Sequence, residues 1–288
     1  MNQQISFDHL GFLVADLAAA EEAMIRLGFA PAPRSYHQER RVPDGPLERT
    51  GTANQCLMFR RGYIEVLGIA DPARYSGWIT GSLARYEGLH VIGFGHEDIE
   101  PLLADLRDRG AAPNVRRLTR SVAIGGEERP VSFTILFHSD TEFPEGRFVT
   151  MQHHTPDTLW HPSLLDHPNG AVGLAGVSLA VDDPAEFARR VSQWTGASPR
   201  RSGGEARRIE LPGGFVEAMT PAEAARRYGD ALPAARPALI GMTMTVTDLS
   251  ATRRLLEQNG VNHTARPGGL LVGAPDGCGA FIHFAAER

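Results

Sequence analysis

The chain contains no lysine, and all 29 of its basic residues are arginines. This absence excludes Schiff-base enzymes, pyridoxal-phosphate enzymes and P-loop proteins, each of which needs an ammonium group. Cysteine is nearly absent too. Cys56 and Cys278 stand near opposite ends of the chain, so neither a disulfide framework nor a cysteine-based zinc site is supported.

Long apolar runs and an excess of positive charge are also missing. No stretch is long enough to span a bilayer, and the first residues lack the apolar core of a signal peptide. The formal net charge is -5, which argues against a nucleic-acid footprint. We therefore expect a cytoplasmic protein that binds neither membranes nor nucleic acids.

What the sequence does contain is a fourfold repeat. Each copy has the pattern of a strand, an aspartate that caps a helix, an amphipathic helix and a glycine that ends it. The capping aspartates are Asp16, Asp98, Asp183 and Asp248, and the terminating glycines are Gly28, Gly110, Gly196 and Gly260. A repeat of this kind determines the architecture before any residue chemistry is considered.

The glycine-centred hairpins that follow each helix predict antiparallel strands, so each copy is a βαβββ module. Its helix covers one face of a small sheet, and the other face needs a second module. We therefore predict an α+β fold in which four modules pair into two cupped mixed β-sheets with helices outside. The first domain covers residues 1–166, with modules at about 6–69 and 89–154, and the second covers 171–288, with modules at about 173–220 and 238–286. Residues 167–170 are the predicted linker, and the proline- and arginine-rich residues 30–49 are predicted to form an irregular loop.

Several short motifs add a family resemblance to this repeat. They are Asp8-His9-Leu10-Gly11-Phe12, Gly51-Thr52-Ala53-Asn54, Gly62-Tyr63-Ile64-Glu65, Gln152-His153-His154-Thr155-Pro156-Asp157 and His167-Pro168-Asn169-Gly170. With them the chain resembles the vicinal oxygen chelate superfamily, which includes glyoxalase I, extradiol dioxygenases and bleomycin-resistance proteins. It looks most like the glyoxalase-like domain branch. The resemblance implies paired βαβββ modules and, in catalytic members, a divalent metal held by His and Glu on the first and last strands.

The residues at those positions are His9, Glu65 and His153. They would form a facial His/His/carboxylate set suited to iron, manganese, nickel or zinc, and the sequence leaves the metal open. Glu65 is also the candidate catalytic base. The alternative is that His9 is a hydrogen-bonded core histidine and that Glu65 is structural, like Glu217 at the same place in module three.

The second module departs from the two-histidine pattern of the dioxygenases. His90 aligns with Asp8 rather than with His9, so strand alternation points it to the opposite face. Thr52, Asn54 and Gln152 are candidates for orienting a substrate oxygen, and ordinary hairpin polarity is the competing interpretation. The arginines at 116, 117 and 120 could hold an anionic substrate, although a solvated charged loop is favoured.

The second half offers fewer ligands. Glu217 and His283 occupy last-strand positions, whereas Gly176 and Gly241 occupy the first-strand positions. Two ligands are too few for a good metal site. This half is interpreted as a degenerate cup that supports the first or binds a small molecule without metal.

Together these features favour a divalent-metal-dependent lyase or isomerase, or else a dioxygenase, acting on a small oxygenated metabolite. The alternative function is a metal-free small-molecule binding or resistance protein. Glycines at three first-strand positions and the imperfect ligand register motivate that alternative. The expected partner is a small-molecule substrate, and a homodimer is left open.

Overall fold

The computed structural model describes residues 4–40, 45–229, 232–233 and 236–287. The first eight strands are β1 (Ser6–Val14), β2 (Ser35–Arg40), β3 (Leu47–Met58), β4 (Tyr63–Ile69), β5 (Gly88–Gly95), β6 (Asn114–Ile124), β7 (Glu127–Phe137) and β8 (Arg147–His153). The next eight are β9 (Ala171–Ala180), β10 (Pro199–Arg201), β11 (Arg207–Leu211), β12 (Gly214–Met219), β13 (Ala238–Val246), β14 (His263–Arg266), β15 (Gly269–Val272) and β16 (Phe281–Ala286). The helices are α1 (Leu17–Arg26), α2 (Trp78–Leu83), α3 (Glu100–Asp108), α4 (Pro156–Leu159), α5 (Pro184–Thr195), α6 (Pro221–Tyr228) and α7 (Leu249–Gln258), with a 3-10 turn at Pro162–Leu164.

The strands form two eight-stranded mixed sheets of the same topology. The first has the order β2-β3-β4-β1-β5-β8-β7-β6 and the second β10-β11-β12-β9-β13-β16-β15-β14. In each sheet the first strands of two modules pair antiparallel at the centre, and each is flanked by the parallel last strand of its own module. The predicted α+β fold of paired βαβββ modules is confirmed.

The local signals of the repeat appear in the helix ends. Asp16, Asp183 and Asp248 each accept two backbone N–H groups in the first turn of α1, α5 and α7, which satisfies donors that the helix leaves free. The glycines that end the four helices all have positive φ, between 66° and 81°. The helix boundaries could therefore be predicted from local chemistry alone.

The stretch 30–49 differs from the prediction of an irregular loop. It contains β2 and the beginning of β3, which pair antiparallel. β2 is the edge strand of the first sheet and pairs only with β3, so no hydrophobic alternation marks it in the sequence. The Arg49 guanidinium of β3 lies 3.6 Å from the centre of the Tyr36 ring of β2, and this cation–π contact joins the two strands.

One hydrophobic core joins the outer, helix-covered faces of the two sheets. It contains Leu10 and Phe12 of β1, Leu179 of β9 and Phe187 of α5, all fully buried. The predicted linker is fixed to this assembly. His167 Nδ1 accepts from the Ala30 N–H, and by implication His167 Nε2 donates to the Met58 carbonyl. Within the described residues, no helix is long and apolar enough to cross a membrane.

Candidate functional site

The inner face of the first sheet begins with a β-bulge. The register of β1 on β5 shifts between Phe7 and His9, so Asp8 is the extra residue of the bulge. Regular alternation would separate Asp8 and His9 onto opposite faces. Here the Asp8 carboxylate reaches the His9 imidazole, with 2.8 Å between Oδ2 and Nδ1.

The same carboxylate also contacts the far strand β8. His153 Nε2 lies 3.1 Å from Asp8 Oδ2 and 3.2 Å from Oδ1, so Asp8 joins the two histidines. Burial alone would raise the pKa of Asp8, but the charges and hydrogen bonds of His153 and His9 hold it well below its ordinary value. A carboxylate is acceptor only, so His9 donates from Nδ1 and His153 from Nε2. The Asp8 carboxylate thus joins a pair of histidines, His9 and His153, and this arrangement is called the bridge below.

Aromatic residues enclose this pair. The Tyr63 ring stacks on His9 with 4.6 Å between centroids, and Trp160 packs edge-on against His153 at 5.0 Å. Burial, and then the charges of Asp8 and Glu65, raise the pKa of Tyr63 well above its usual value. Tyr63 is therefore a neutral phenol at physiological pH, and it donates to the Met151 sulfur at 3.4 Å.

A second polar cluster lies along β2, β3 and β4. Glu65 accepts a short hydrogen bond from the Asn54 amide, and His37 Nδ1 is 2.9 Å from the Thr52 hydroxyl. Burial lowers the pKa of His37, and the charge of Arg120 lowers it further, while Glu65 opposes the shift. His37 is therefore a neutral imidazole at pH 7. Buried Asn54 keeps its amide oxygen without a hydrogen-bond donor.

Arg120 of β6 closes this cluster. It is partly buried, and its Nη2 lies 3.6 Å from Cys56 Sγ. Burial raises the pKa of Cys56 to about 11, so at neutral pH this contact is with a thiol. Among the described residues no carboxylate lies within ion-pair distance of Arg120, although Glu65 contributes to its electrostatic surroundings. Arg116 and Arg117 are exposed to solvent, as expected, whereas Arg120 faces inward. The three arginines lie on strand β6 and not on a loop.

A small cavity adjoins Arg120. Its volume is about 20 Å³, room for one water or one small polar group. The lining includes Asn54, Cys56, Met58, Arg120, Leu159 and Leu164. The amide of Asn54 and the guanidinium of Arg120 therefore meet at a small opening inside the cup.

The structure brings the predicted site residues together only in part. His9 and His153 meet through Asp8, whereas Glu65, Asn54 and Thr52 belong to the second cluster. Gln152 is elsewhere: its amide oxygen accepts from the Ile99 N–H at the start of α3, at 3.3 Å. His90 also lies away from this cup, stacked on Tyr86 and bonded to the Tyr86 carbonyl, as its register predicts.

The donor set does not fit a divalent metal as arranged. Across the described part of the chain, no group of three or more His, Cys, Asp or Glu side chains could hold a metal ion. The second module offers no donors at the matching positions. Val91 takes the place of His9. Val149 takes the place of Glu65, because it pairs with Gly93 as Glu65 pairs with Gly11. Both histidines already donate to Asp8. The metal set of His9, Glu65 and His153 stays a prediction.

Sequence reasoning missed the roles of Asp8 and His37, and it named Arg120 as an anion-binding candidate without separating it from Arg116 and Arg117. Asp8 was visible in the motif, but only the bulge turns it toward His9 and His153. His37 lies in the stretch predicted to be a loop. Arg120 shares its strand with exposed arginines, and no local signal distinguishes it from them.

Two tandem cups built from βαβββ modules, with a polar cluster inside the first, define a protein of the vicinal oxygen chelate class. The family described as a glyoxalase-like domain matches residues 7–195. The chain therefore belongs to the glyoxalase-like domain family. No curated protein matches it.

Solved structures share the fold at low sequence identity. A hypothetical protein from Staphylococcus aureus superposes with a TM-score of 0.64 at 11% identity, covering 98% of this chain and 100% of its own. A triple mutant of 4-hydroxymandelate synthase from Streptomyces coelicolor gives 0.60 at 13% identity, covering 99% and 93%. A fusion of a xylose isomerase-like TIM barrel with 4-hydroxyphenylpyruvate dioxygenase gives 0.57 at 14% identity, covering 98% and 49%. These similarities concern the fold alone.

Proposed function

We propose that the first cup binds a small oxygenated anion, of the 2-hydroxy acid type, without a resident metal ion. The observation that carries the proposal is Arg120. Its guanidinium is partly buried and, among the described residues, its one hydrogen-bond contact is the neutral Cys56 thiol, so most of its N–H donors remain available to an anion. A carboxylate of the ligand would supply the missing acceptor.

The neighbouring amide specifies the second group of the ligand. Asn54 donates to Glu65, and its buried amide oxygen has no donor at full hydrogen-bond geometry, with His37 as the competing donor in the cluster. A ligand hydroxyl would satisfy it, since an unpaired buried acceptor costs about 1–3 kcal/mol. A carboxylate for Arg120 and an adjacent hydroxyl for Asn54 describe a 2-hydroxy acid. The cavity of about 20 Å³ takes one small polar group as it stands, so binding of both groups requires the side chains that line it to move apart.

Glu65 keeps its role as the candidate base in this proposal. Its carboxylate is half-buried at the same cluster, and the neutral His37 lies in the same field. A proton of the bound ligand could pass to Glu65, which would make the protein a lyase or isomerase rather than a simple binder. The metal-dependent lyase, isomerase or dioxygenase is the rival hypothesis, and family membership is its main support.

The test is calorimetric titration of lactate and glycolate into chelator-treated protein. The proposal expects binding that is unchanged by chelator and at least tenfold weaker in Arg120→Gln. Arg117→Gln is the matched control, because Arg117 is exposed on the same strand. Binding that requires added metal, or that is equally weak in both variants, would contradict the proposal.

A further inference from the structure

The second cup contains a cavity about ten times larger than the first. Its volume is about 210 Å³, whereas the cavity beside Arg120 holds about 20 Å³. For comparison, an apolar cavity of about 150 Å³ accommodates benzene. The second cup therefore has room for a ligand made of one aromatic ring and a polar group.

Aromatic side chains form the apolar part of this cavity. The Phe215 ring covers Gly176, where a Cβ would come within 2.6 Å of it. Phe215 and Leu271 line the cavity, and Tyr228 closes it from α6, stacked on Phe281 at 3.9 Å. These walls suit a flat, apolar ligand body.

Two of the three arginines of the cavity are already compensated. Arg208 Nε and Arg227 Nη1 lie 3.4 Å and 3.3 Å from Oε1 of the same buried Glu217. Arg227 is further bound by Glu223 at 2.5 Å, and Arg208 lies over the Phe215 ring at 3.8 Å. Their positions are therefore set by the protein, as a ligand site requires.

Two further polar side chains of the cavity have no hydrogen-bond or ion-pair partner in the part of the chain that the structure describes. Arg266, at the end of β14, forms no ion pair or hydrogen bond there, and neither does His283 of β16. Burial lowers the pKa of His283, and the charges of Arg266 and Arg208 lower it further. Arg266 is solvent-exposed at the rim of the cavity, where it stands beside the partly buried His283 imidazole and is not tied to Glu217.

We infer that the second cup is a binding site for a monocyclic organic anion, whose carboxylate or phosphate is held by Arg266, Arg208 and His283. The apolar ring would lie against Phe215 and Leu271. This site is separate from the hydroxy-acid site of the first cup, because its residues come from β9–β16 and α6 alone.

The experiment is calorimetric titration of the full chain with benzoate, phenyl phosphate and the neutral isostere benzamide. The expected result is that benzoate or phenyl phosphate binds and that benzamide binds at least tenfold more weakly. The two anions distinguish a carboxylate site from a phosphate site. Arg266→Gln weakens the anion at least tenfold, and Arg253→Gln, an exposed arginine on α7, does not.

A steric variant tests the cavity without removing a charge from the surface. Thr243 lines the cavity, so Thr243→Phe fills it and abolishes binding while the charges stay in place. Circular dichroism and the thermal unfolding midpoint confirm that each variant is folded. Arg120→Gln leaves benzoate binding unchanged, which separates this site from the first cup.

Three results would overturn the inference. The first is the absence of saturable binding of either anion at millimolar concentration. The second is equal affinity for benzamide and benzoate, which would make the cavity a neutral hydrophobic pocket. The third is an Arg266→Gln variant, folded by circular dichroism, that binds as tightly as the unmodified protein.

Discussion

Asp8 accepts a hydrogen bond from His153 across the cup at 3.1 Å, although the two residues are 145 positions apart in the sequence. The contact connects the first strand of module one with the last strand of module two. Together with the 2.8 Å contact to His9 it engages both predicted metal-ligand histidines in one carboxylate bridge.

The bridge predicts a pH-dependent contribution to stability. The folded pKa of Asp8 is depressed, so its stabilisation is fully present above the unfolded pKa near 3.9 and is lost as pH falls toward the folded value. We expect Asp8→Asn to lower the free energy of unfolding by about 2–3 kcal/mol at pH 7, and the deficit to shrink below about pH 4. Urea unfolding from pH 7 to pH 3 measures it.

Asp105→Asn is the control for that variant. Asp105 forms an exposed ion pair with Arg109 on α3, 2.8 Å long, of the kind worth about 0–1 kcal/mol. If Asp8→Asn destabilises no more than Asp105→Asn, or if its deficit is the same at pH 3 and pH 7, the bridge does not stabilise the fold.

Gly93 provides the space for the His9 ring. The two residues are paired across β1 and β5, and a Cβ at position 93 would overlap the Nδ1 and Cε1 atoms of His9. Because this core is fixed on both sides, Gly93→Ala is expected to cost about 1–3 kcal/mol in overpacking. The thermal unfolding midpoint measures the loss.

Gly81→Ala is the matched glycine variant. Gly81 lies within α2, and a Cβ there meets nothing within 4 Å. Alanine is the better helix former, so this change is expected to be neutral or stabilising by up to about 1 kcal/mol. Equal effects of the two variants would mean that the space at Gly93 is not reserved for His9.

Both cysteines are predicted to be unreactive in the folded protein. Burial raises the pKa of Cys56 and of Cys278 to about 11, so almost no thiolate is present at pH 8. A disulfide-exchange reagent at pH 8 is expected to modify neither thiol in the native state on the timescale that suffices for both in urea. Rapid modification of Cys56 in the native protein would show that the cavity beside Arg120 is open to the reagent and the thiol activated.

Features that arise within a few residues could be predicted from the sequence. The aspartate caps and glycine stops gave the helix ends because a cap binds N–H groups two or three residues away. Alternation along β8 predicted that His153 and Gln152 lie on opposite faces, and Gln152, a candidate for orienting substrate, contacts the Ile99 N–H at the start of α3 instead. The repeat then determined the pairing of the modules.

Features that depend on curvature and register could not be predicted. The bulge at Asp8 is set by how β1 pairs with β5, which no local pattern in the motif shows. Arg120 resembles its exposed neighbours, and only the closure of the cup buries it. In the second cup, the rings of Phe215 and Phe281 cover Gly176 and Gly241, and that depends on side chains from neighbouring strands.

The most direct test of the central claim is the metal content of the purified, untagged protein, measured by elemental mass spectrometry beside His9→Ala. The claim is that the two histidines of the first cup hydrogen bond to Asp8 rather than bind a metal ion. It predicts far less than one equivalent of metal in both proteins, even after reconstitution with iron, manganese, nickel and zinc. Near-stoichiometric metal in the unmodified protein that is lost in His9→Ala would contradict it.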